Sequence, residues 1–208
     1  MSRTEIAMRL LAAECHIPMH HMRGGQLSDD EWKRIALKMG EVDTAPLYIY
    51  DSPNMSMMEI RAKCRRVHAR TPLDMVVIDY IQLINGLDSG LPREQQIAEV
   101  SRSIKAMAKE FKIPIIALAQ LNRKSEDEAR QPRMSDLRES GSIEQDADVI
   151  LFLYRDEVYN KDTQYKGSAE VIIGKQRNGP IGTSRLAFVG QFTRFENLAH
   201  GDYNDDYE

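Results

Sequence analysis

The chain has 208 residues, of which 42% are hydrophobic and 29% are charged, which suits one globular domain with a substantial core. Its net charge of −4 excludes a protein that is basic over its whole surface, so any contact with a polyanion must be local. Its two cysteines, Cys15 and Cys64, lack metal-site or redox spacing and favour a reducing, cytoplasmic location. The sequence has no run of about 18 apolar residues and no signal-peptide pattern, so no membrane contact is predicted.

Three capping boxes predict helices in the first third of the chain. In each box a serine is followed three residues later by a glutamate, and the two side chains satisfy free backbone amides at a helix start. The predicted helices follow Ser2, Ser28 and Ser56 and run to about residues 15, 40 and 69. Residues 47–50, Leu-Tyr-Ile-Tyr, are aromatic and β-branched between two prolines, which predicts a short strand.

The rest of the chain alternates strands with helices. Strands are predicted over residues 75–78, 115–119 and 149–154, with a helix over 94–111, and this alternation is typical of a parallel sheet covered on both faces. Further strands over 169–173, 185–189 and 192–195 are separated by short turns and should form an antiparallel edge. We therefore predict one α/β domain over residues 1–200, followed by an acidic, disordered tail over 201–208.

Polar residues follow two of the predicted strands at the point where each strand ends. In open α/β sheets, ligands bind beyond these carboxyl ends. Asp79 follows the apolar run of residues 75–78, as a Walker B carboxylate does, and can hold Mg²⁺ through water. Gln120 follows the next strand and can sense a phosphate or orient the attacking water. The alternative is that both strands simply end in polar residues because a loop begins there.

A P-loop is the usual companion of a Walker B strand, because its backbone amides and lysine hold the nucleotide phosphates. Its pattern, G-x-x-x-x-G-K-[ST], does not occur in the 208 residues. The sequence therefore predicts half of an ATP site.

Two cations, Lys175 and Arg177, precede an Asn178-Gly179 turn and lie on the same side of a strand end. Cations held in this way can neutralise charge that develops on a transferred phosphoryl group, which is the arginine-finger role. A solvated basic hairpin is the alternative.

The polar segment over residues 136–144 offers free backbone amides at Gly141 and Ser142. Such amides suit the phosphate oxygens of a nucleic-acid backbone, although a capped loop without a ligand is the alternative. The cluster of Cys15 with three nearby histidines fits no standard zinc ligand set.

Four segments in this order resemble the C-terminal motor domain of DnaB-type replicative DNA helicases. They are V-V-I-D-Y-I-Q-L, A-L-A-Q-L-N-R, D-L-R-E-S-G-S-I-E-Q-D-A-D and K-Q-R-N-G-P-I-G-T. The resemblance extends over almost the whole chain. It implies a RecA-like ATPase core with a mainly parallel twisted sheet, flanking helices and an antiparallel C-terminal edge, but without the P-loop strand. It also implies an ATP-dependent DNA helicase that forms a hexameric ring and moves along single-stranded DNA with ATP and Mg²⁺.

The resemblance also assigns roles to individual residues. Asp79 matches the Walker B carboxylate that holds Mg²⁺ through water, and Gln120 matches the phosphate sensor. Lys175 and Arg177 match the cations that reach the ATP of the neighbouring subunit.

A further role follows for the polar segment, since Arg138, Glu139 and Gly141 match the family loop that contacts the DNA backbone inside the ring. Contacts of this kind are insensitive to base sequence and weakened by salt.

The resemblance breaks at the front of the chain. In the family, the P-loop strand and the glutamate that polarises the attacking water lie upstream of the residues matched by Met1 and Ser2. The N-terminal part, through which primase and the helicase loader bind, is missing as well. We therefore expect little or no ATP turnover by the chain alone and full activity only as part of a complete motor. The alternative is a non-catalytic, truncated paralogue that binds a helicase ring or single-stranded DNA.

Overall fold

A computed structural model describes residues 1–86, 90–122 and 128–198, and the side chains of residues 138–140 are not described. The predicted tail over 201–208 lies outside these residues. The helices are α1 (Arg3–Cys15), α2 (Met19–Gly24), α3 (Asp29–Thr44), α4 (Met57–His68), α5 (Arg93–Phe111) and α6 (Gly141–Asp146). The strands are β1 (Val76–Ile78), β2 (Ile115–Ala117), β3 (Val149–Tyr154), β4 (Ser168–Gln176), β5 (Gly182–Val189) and β6 (Arg194–Glu196). Two of the 3₁₀ helices bear on the site, Ile81–Leu83 and Met134–Ser140.

The strands form two sheets. β1 and β2 pair in parallel, with Val76 opposite Ile115 and Ile78 opposite Ala117. The second sheet has the order β3-β4-β5-β6, and β5 and β6 are antiparallel. The predicted α/β class, with a parallel pair and an antiparallel C-terminal edge, is therefore confirmed. β3 lies beside β4 in the second sheet.

All three predicted capping boxes are present, because both of their hydrogen bonds are local and need no tertiary partner. α3 continues past its predicted end near Gly40. A glycine inside a helix costs only about 1 kcal/mol relative to alanine, and Lys38 forms an ion pair of 2.7 Å with Glu41 across this position. α2 was not predicted, although it follows Pro18 and ends at Gly25, whose φ of 64° is the usual left-handed helix end.

The prediction of a strand over residues 47–50 is wrong. This segment has no regular secondary structure, and Leu47 N donates a hydrogen bond of 2.7 Å to Ala45 O. A strand needs a neighbour that completes its ladder of hydrogen bonds. None of the strands in the described part of the chain lies beside this segment.

The chain divides into two compact units. One comprises Met1–Asp51, Arg155–Val171 and Ser184–Glu208, and its core contains Cys15, Ile17 and Ile35. The other comprises Ser52–Tyr154 and Ile172–Thr183. Its largest core cluster consists of buried side chains of α4, β1, the first 3₁₀ helix with the residue after it, and α5: Met57, Ile60, Ile78, Ile81, Ile84, Ile97, Val100 and Met107. Within the described ranges, no helix is both long and apolar enough to cross a lipid bilayer.

β3 is apolar on both of its faces. Ile150 and Phe152 are buried on one face, whereas Val149, Leu151 and Leu153 on the other are 48%, 55% and 62% exposed. Two apolar faces are typical of a strand that is covered on both sides. Within the described part of the chain, the Ile150 and Phe152 face of β3 is covered and the opposite face is open.

Glu31 gives the first unit a pH-dependent stability. Its side chain is 8% exposed, accepts the Ser28 amide at 2.8 Å and lies 2.7 Å from His21 Nδ1. The Ser28 amide, followed by His21, holds the pKa of Glu31 at about 2, below the ordinary value of 4.5. A depressed pKa stabilises the fold fully above about pH 4.5, and this stabilisation is lost as the pH falls towards 2.

We expect Glu31→Gln to lower the melting temperature at pH 7 and to flatten the fall of the melting temperature between pH 5 and pH 2, as measured by circular dichroism.

Asp30→Asn is the matched control, because the Asp30 side chain is 87% exposed in the same helical turn. It should leave the pH dependence unchanged. Equal slopes for Glu31→Gln and the unmodified chain would contradict the assignment to Glu31.

Candidate functional site

The parallel pair of β1 and β2 brings Asp79 and Gln120 to the same edge of the sheet. Ile78 O accepts the Leu118 amide at 2.9 Å, and Leu118 O accepts the Ile81 amide at 2.9 Å, so the hydrogen bonding continues past the last paired residues. Asp79 follows Ile78 directly, Gln120 comes two residues after Leu118, and both are exposed. The two predicted site residues therefore share one strand edge.

Gln82 holds the backbone of Gln120 through two hydrogen bonds. Its Oε1 accepts the Gln120 amide at 3.2 Å, and its Nε2 donates to the Gln120 carbonyl at 3.3 Å. Arg93 in turn donates to the Gln82 carbonyl and, at 2.8 Å, to Gln96 Oε1. Sequence reasoning missed Gln82, although it stands three residues after Asp79 within a motif already singled out.

A small cavity of about 100 Å³ lies beside Gln120. It is lined by Gln82, Ile97, Gln120, Leu121, Asn122, Asp136 and Leu137. Ligand pockets have volumes of roughly 300–1,000 Å³, so this cavity can hold a few waters but not a nucleotide. A nucleotide at this edge would therefore lie outside the cavity, over the strand ends.

Asp136 is a buried residue of the 3₁₀ helix Met134–Ser140 and binds the segment that follows β2. Arg130 binds both of its oxygens, at 2.8 and 2.9 Å, and the Arg133 amide donates to it at 2.7 Å. Its main-chain carbonyl accepts the Asn122 amide at 3.1 Å. The Arg130 guanidinium, as the largest cause, lowers the pKa of Asp136, which therefore stays ionised at neutral pH. Sequence reasoning missed this pair as well.

The same 3₁₀ helix leads directly into α6, which begins at Gly141. The backbones of Arg138 and Glu139 belong to the 3₁₀ helix, but their side chains lie outside the described atoms. Gly141 has a φ of −53° and a ψ of −24°, and a Cβ atom placed there would meet nothing within 4 Å. The fold itself therefore does not require glycine at this position.

Lys175 and Arg177 both bind the carboxyl end of α6. Lys175 Nζ donates to the carbonyls of Ala147, at 2.8 Å, and of Glu144. Arg177 Nη2 donates to the Gln145 carbonyl at 2.6 Å. The prediction that the two cations lie on the same side of the strand end is confirmed. Both cations bind main-chain carbonyls, while Arg177 and the turn over residues 178–180 remain exposed to solvent, as the alternative of a solvated hairpin expects.

Asp148 reinforces this arrangement from the loop between α6 and β3. Its carboxylate accepts a hydrogen bond from Lys105 and lies 3.6 Å from Arg177 Nε. Lys105, followed by Arg177, lowers the pKa of Asp148. Its main-chain carbonyl also accepts the Arg177 amide at 3.0 Å. Sequence reasoning missed Asp148, although it belongs to the D-A-D sequence of a quoted motif.

Asp79 is the carboxylate predicted to hold Mg²⁺, and it does not belong to a preformed metal site in the described part of the chain. Within the described ranges, no group of three or more histidines, cysteines or acidic residues is arranged to hold a metal ion. Mg²⁺ is commonly bound through one or two carboxylates together with water and substrate phosphates. A single exposed carboxylate at a strand end therefore fits an ion that arrives with a nucleotide.

Comparison with known proteins places this geometry in a family context. Residues 1–197 match the family model described as the DnaB-like helicase C terminal domain. The chain is 51% identical over 200 residues to the replicative DNA helicase DnaB of Leifsonia xyli subsp. xyli (strain CTCB07), covering 96% of this chain and 44% of the relative. It is 50% identical over 212 residues to that of Pasteurella multocida (strain Pm70), covering 100% and 45%. The chain thus spans less than half the length of the curated relatives it matches.

Solved structures agree with the fold. The ATPase domain of the protein G40P matches with a TM-score of 0.91 and 38% identity, over 96% of this chain and 72% of that one. A DnaB-like replicative helicase, studied with its interactions with primase, matches with a TM-score of 0.91 and 37% identity, over 96% and 49%. The predicted RecA-like ATPase core is therefore confirmed. Because the family model covers residues 1–197 and the fold agrees with that of its solved members, the chain belongs to the DnaB-like helicase C-terminal domain family.

Proposed function

We propose that the chain is part of a hexameric, cytoplasmic replicative DNA helicase that couples ATP hydrolysis to movement along single-stranded DNA and to duplex unwinding. The observation that carries the proposal is the placement of Asp79 and Gln120 at one carboxyl edge of a parallel strand pair. This is the edge at which ligands bind in open α/β sheets. The membership of the chain in the DnaB-like helicase family supports the same function.

The proposed chemistry divides between this chain and its neighbour in the ring. Mg²⁺ bound with ATP would screen the charge on the phosphate oxygens. Asp79 would hold that ion through water, and Gln120, whose backbone is fixed by Gln82, would present its side-chain amide to the phosphate or to the attacking water. Lys175 and Arg177 would stabilise the negative charge on the nucleotide of the neighbouring subunit.

The DNA-contacting surface is proposed to be the loop that contains Arg138, Glu139 and Gly141. Its support is that Gly141 is exposed, in an ordinary helical conformation, and has open space where a side chain would stand. A glycine that the fold does not need is well suited to letting a phosphate approach the backbone amide closely. Primase and a helicase loader are proposed to bind the complete protein through parts outside this chain, and a solved DnaB-like relative is known with its interactions with primase.

The test of the proposal is a reconstituted motor, meaning this chain combined with a partner chain that carries G-x-x-x-x-G-K-[ST] from a DnaB relative. We expect ATP turnover that single-stranded DNA stimulates, and little turnover by this chain alone. If the partner chain binds but turnover stays at background, the helicase proposal is contradicted. A non-catalytic role in binding a ring or single-stranded DNA would then be favoured.

Gly141→Ala provides a separate prediction for the DNA contact. The added methyl group should leave the fold as stable as before, or more stable by up to about 1 kcal/mol, because alanine favours a helix. It should weaken binding of single-stranded DNA by about 10- to 100-fold, which is the loss expected for a hydrogen bond to a charged group. Fluorescence anisotropy of a labelled oligothymidylate, measured with the reconstituted motor, reports the affinity.

Gly40→Ala is the matched control, because Gly40 lies inside α3 and a Cβ atom there also meets nothing within 4 Å. It should give the same gain in helix stability without any change in DNA affinity. Equal affinities of the two variants would contradict the role of Gly141.

A further inference from the structure

The carboxyl end of α6 depends on donors from outside the helix. The last four carbonyls of any helix lack partners within it, and a helix of six residues is too short to be stable by itself. Here Lys175 and Arg177 donate to the carbonyls of Glu144, Gln145 and Ala147. Cations at this end also interact favourably with the helix dipole.

The opposite end of α6 is Gly141, the first helical residue after the proposed DNA-contacting loop. A helix of six residues is about 9 Å long, so its two ends move together as one short rod. Ser101 Oγ donates to Asp146 Oδ2 at 2.7 Å and ties the rod to α5. Lys175 in β4 and Arg177 directly after it tie the rod to this strand. The position of Gly141 therefore depends on what Lys175 and Arg177 hold.

A phosphate group that engages Lys175 and Arg177 competes with the α6 carbonyls for these two side chains. An ionised phosphate is a stronger acceptor for an ammonium or a guanidinium than a neutral carbonyl is. We propose that Lys175 and Arg177 are positioning residues for the DNA-contacting loop because they hold the carbonyl end of α6, and that a polyphosphate engaging both side chains releases this hold. The release of α6 by a polyphosphate rests on the proposed function. The hold of Lys175 and Arg177 on the carbonyl end of α6 rests only on the contacts described above.

The hold of Lys175 and Arg177 on α6 is tested by amide hydrogen exchange in the 208-residue chain without a partner chain. The Ala147 amide, which donates to Ile143 O at 2.9 Å, reports the last turn of α6. We expect Lys175→Met and Arg177→Met each to speed its exchange about fivefold or more, the size of effect expected for a lost helix-end cation. Lys175→Arg, which keeps the charge, should restore most of the protection.

Lys109→Met is the control for a lost cation on an exposed position of α5 in the same unit. It should leave the Ala147 amide unchanged. Unchanged exchange of the α4 and α5 core amides shows that each variant is folded. If Ala147 stays as protected in Lys175→Met and Arg177→Met as in the unmodified chain, the hold is overturned.

The release is tested by adding inorganic tripolyphosphate, with sodium chloride at equal ionic strength as the control. We expect tripolyphosphate to speed Ala147 exchange in the unmodified chain but not in the Lys175→Met, Arg177→Met double variant. No effect on the unmodified chain would overturn the release and leave the hold intact. Failure of the reconstituted motor to turn over ATP would overturn the proposed function, and it would leave the exchange results standing.

Discussion

Asp79→Asn should lower ATP turnover by the reconstituted motor by about 10²–10³-fold, the range found when one electrostatic contributor is removed from an active site. Asparagine keeps the shape of the side chain but loses the negative charge that would hold Mg²⁺ through water. Asp79 is exposed at the end of β1, so the free energy of unfolding should change by no more than about 0.5 kcal/mol. Steady-state phosphate release with saturating single-stranded DNA measures the turnover.

Asp74→Asn removes the same charge from an exposed residue just before β1. This control should retain turnover within about twofold, because it lies at the opposite end of the strand from the proposed site. Full activity of Asp79→Asn, or an equal loss in Asp74→Asn, would exclude Asp79 as the metal-holding carboxylate.

Asp136→Ala should destabilise the second unit by about 2–4 kcal/mol. The substitution leaves Arg130, whose side chain is 23% exposed, without its bidentate partner and leaves the Arg133 amide without an acceptor. Loss of one member of a buried pair is costly because the remaining charge is left uncompensated. The measurement is the urea midpoint, at an unchanged slope of free energy against denaturant.

Glu128→Ala is the internal comparison, because Glu128 pairs with the same Arg130 at 2.5 Å but is 58% exposed. An exposed pair contributes about 0–1 kcal/mol, so this variant should stay close to the unmodified chain. If the two substitutions cost the same, burial of Asp136 is not what makes its ion pair matter.

The features that could be predicted from the sequence are those with local causes. Each capping box closes within four residues, and the placement of Lys175 and Arg177 on one side follows from their spacing of two residues at the end of a strand. The shared edge of Asp79 and Gln120 also follows, because parallel strands bring their carboxyl ends together.

Most of the features that were missed depend on tertiary partners, although α2 and the Arg130–Asp136 pair are local in sequence. Gln82 acts through the main chain of Gln120, and the two cations act on carbonyls of α6. Main-chain acceptors leave no signal in a sequence, since every residue carries one. Residues 47–50 also show that tertiary partners decide the outcome. Their composition suits a strand, but no strand in the described part of the chain pairs with them.

The exposed face of β3 also affects the steady-state amount of this polypeptide in a cell. Val149, Leu151 and Leu153 present one apolar stripe to water, which is the kind of surface that chaperones retain and that drives association of copies at high concentration. Molecules on which the stripe stays open are continuously triaged by chaperones and proteases. Covering that stripe should therefore protect the chain both from association and from turnover.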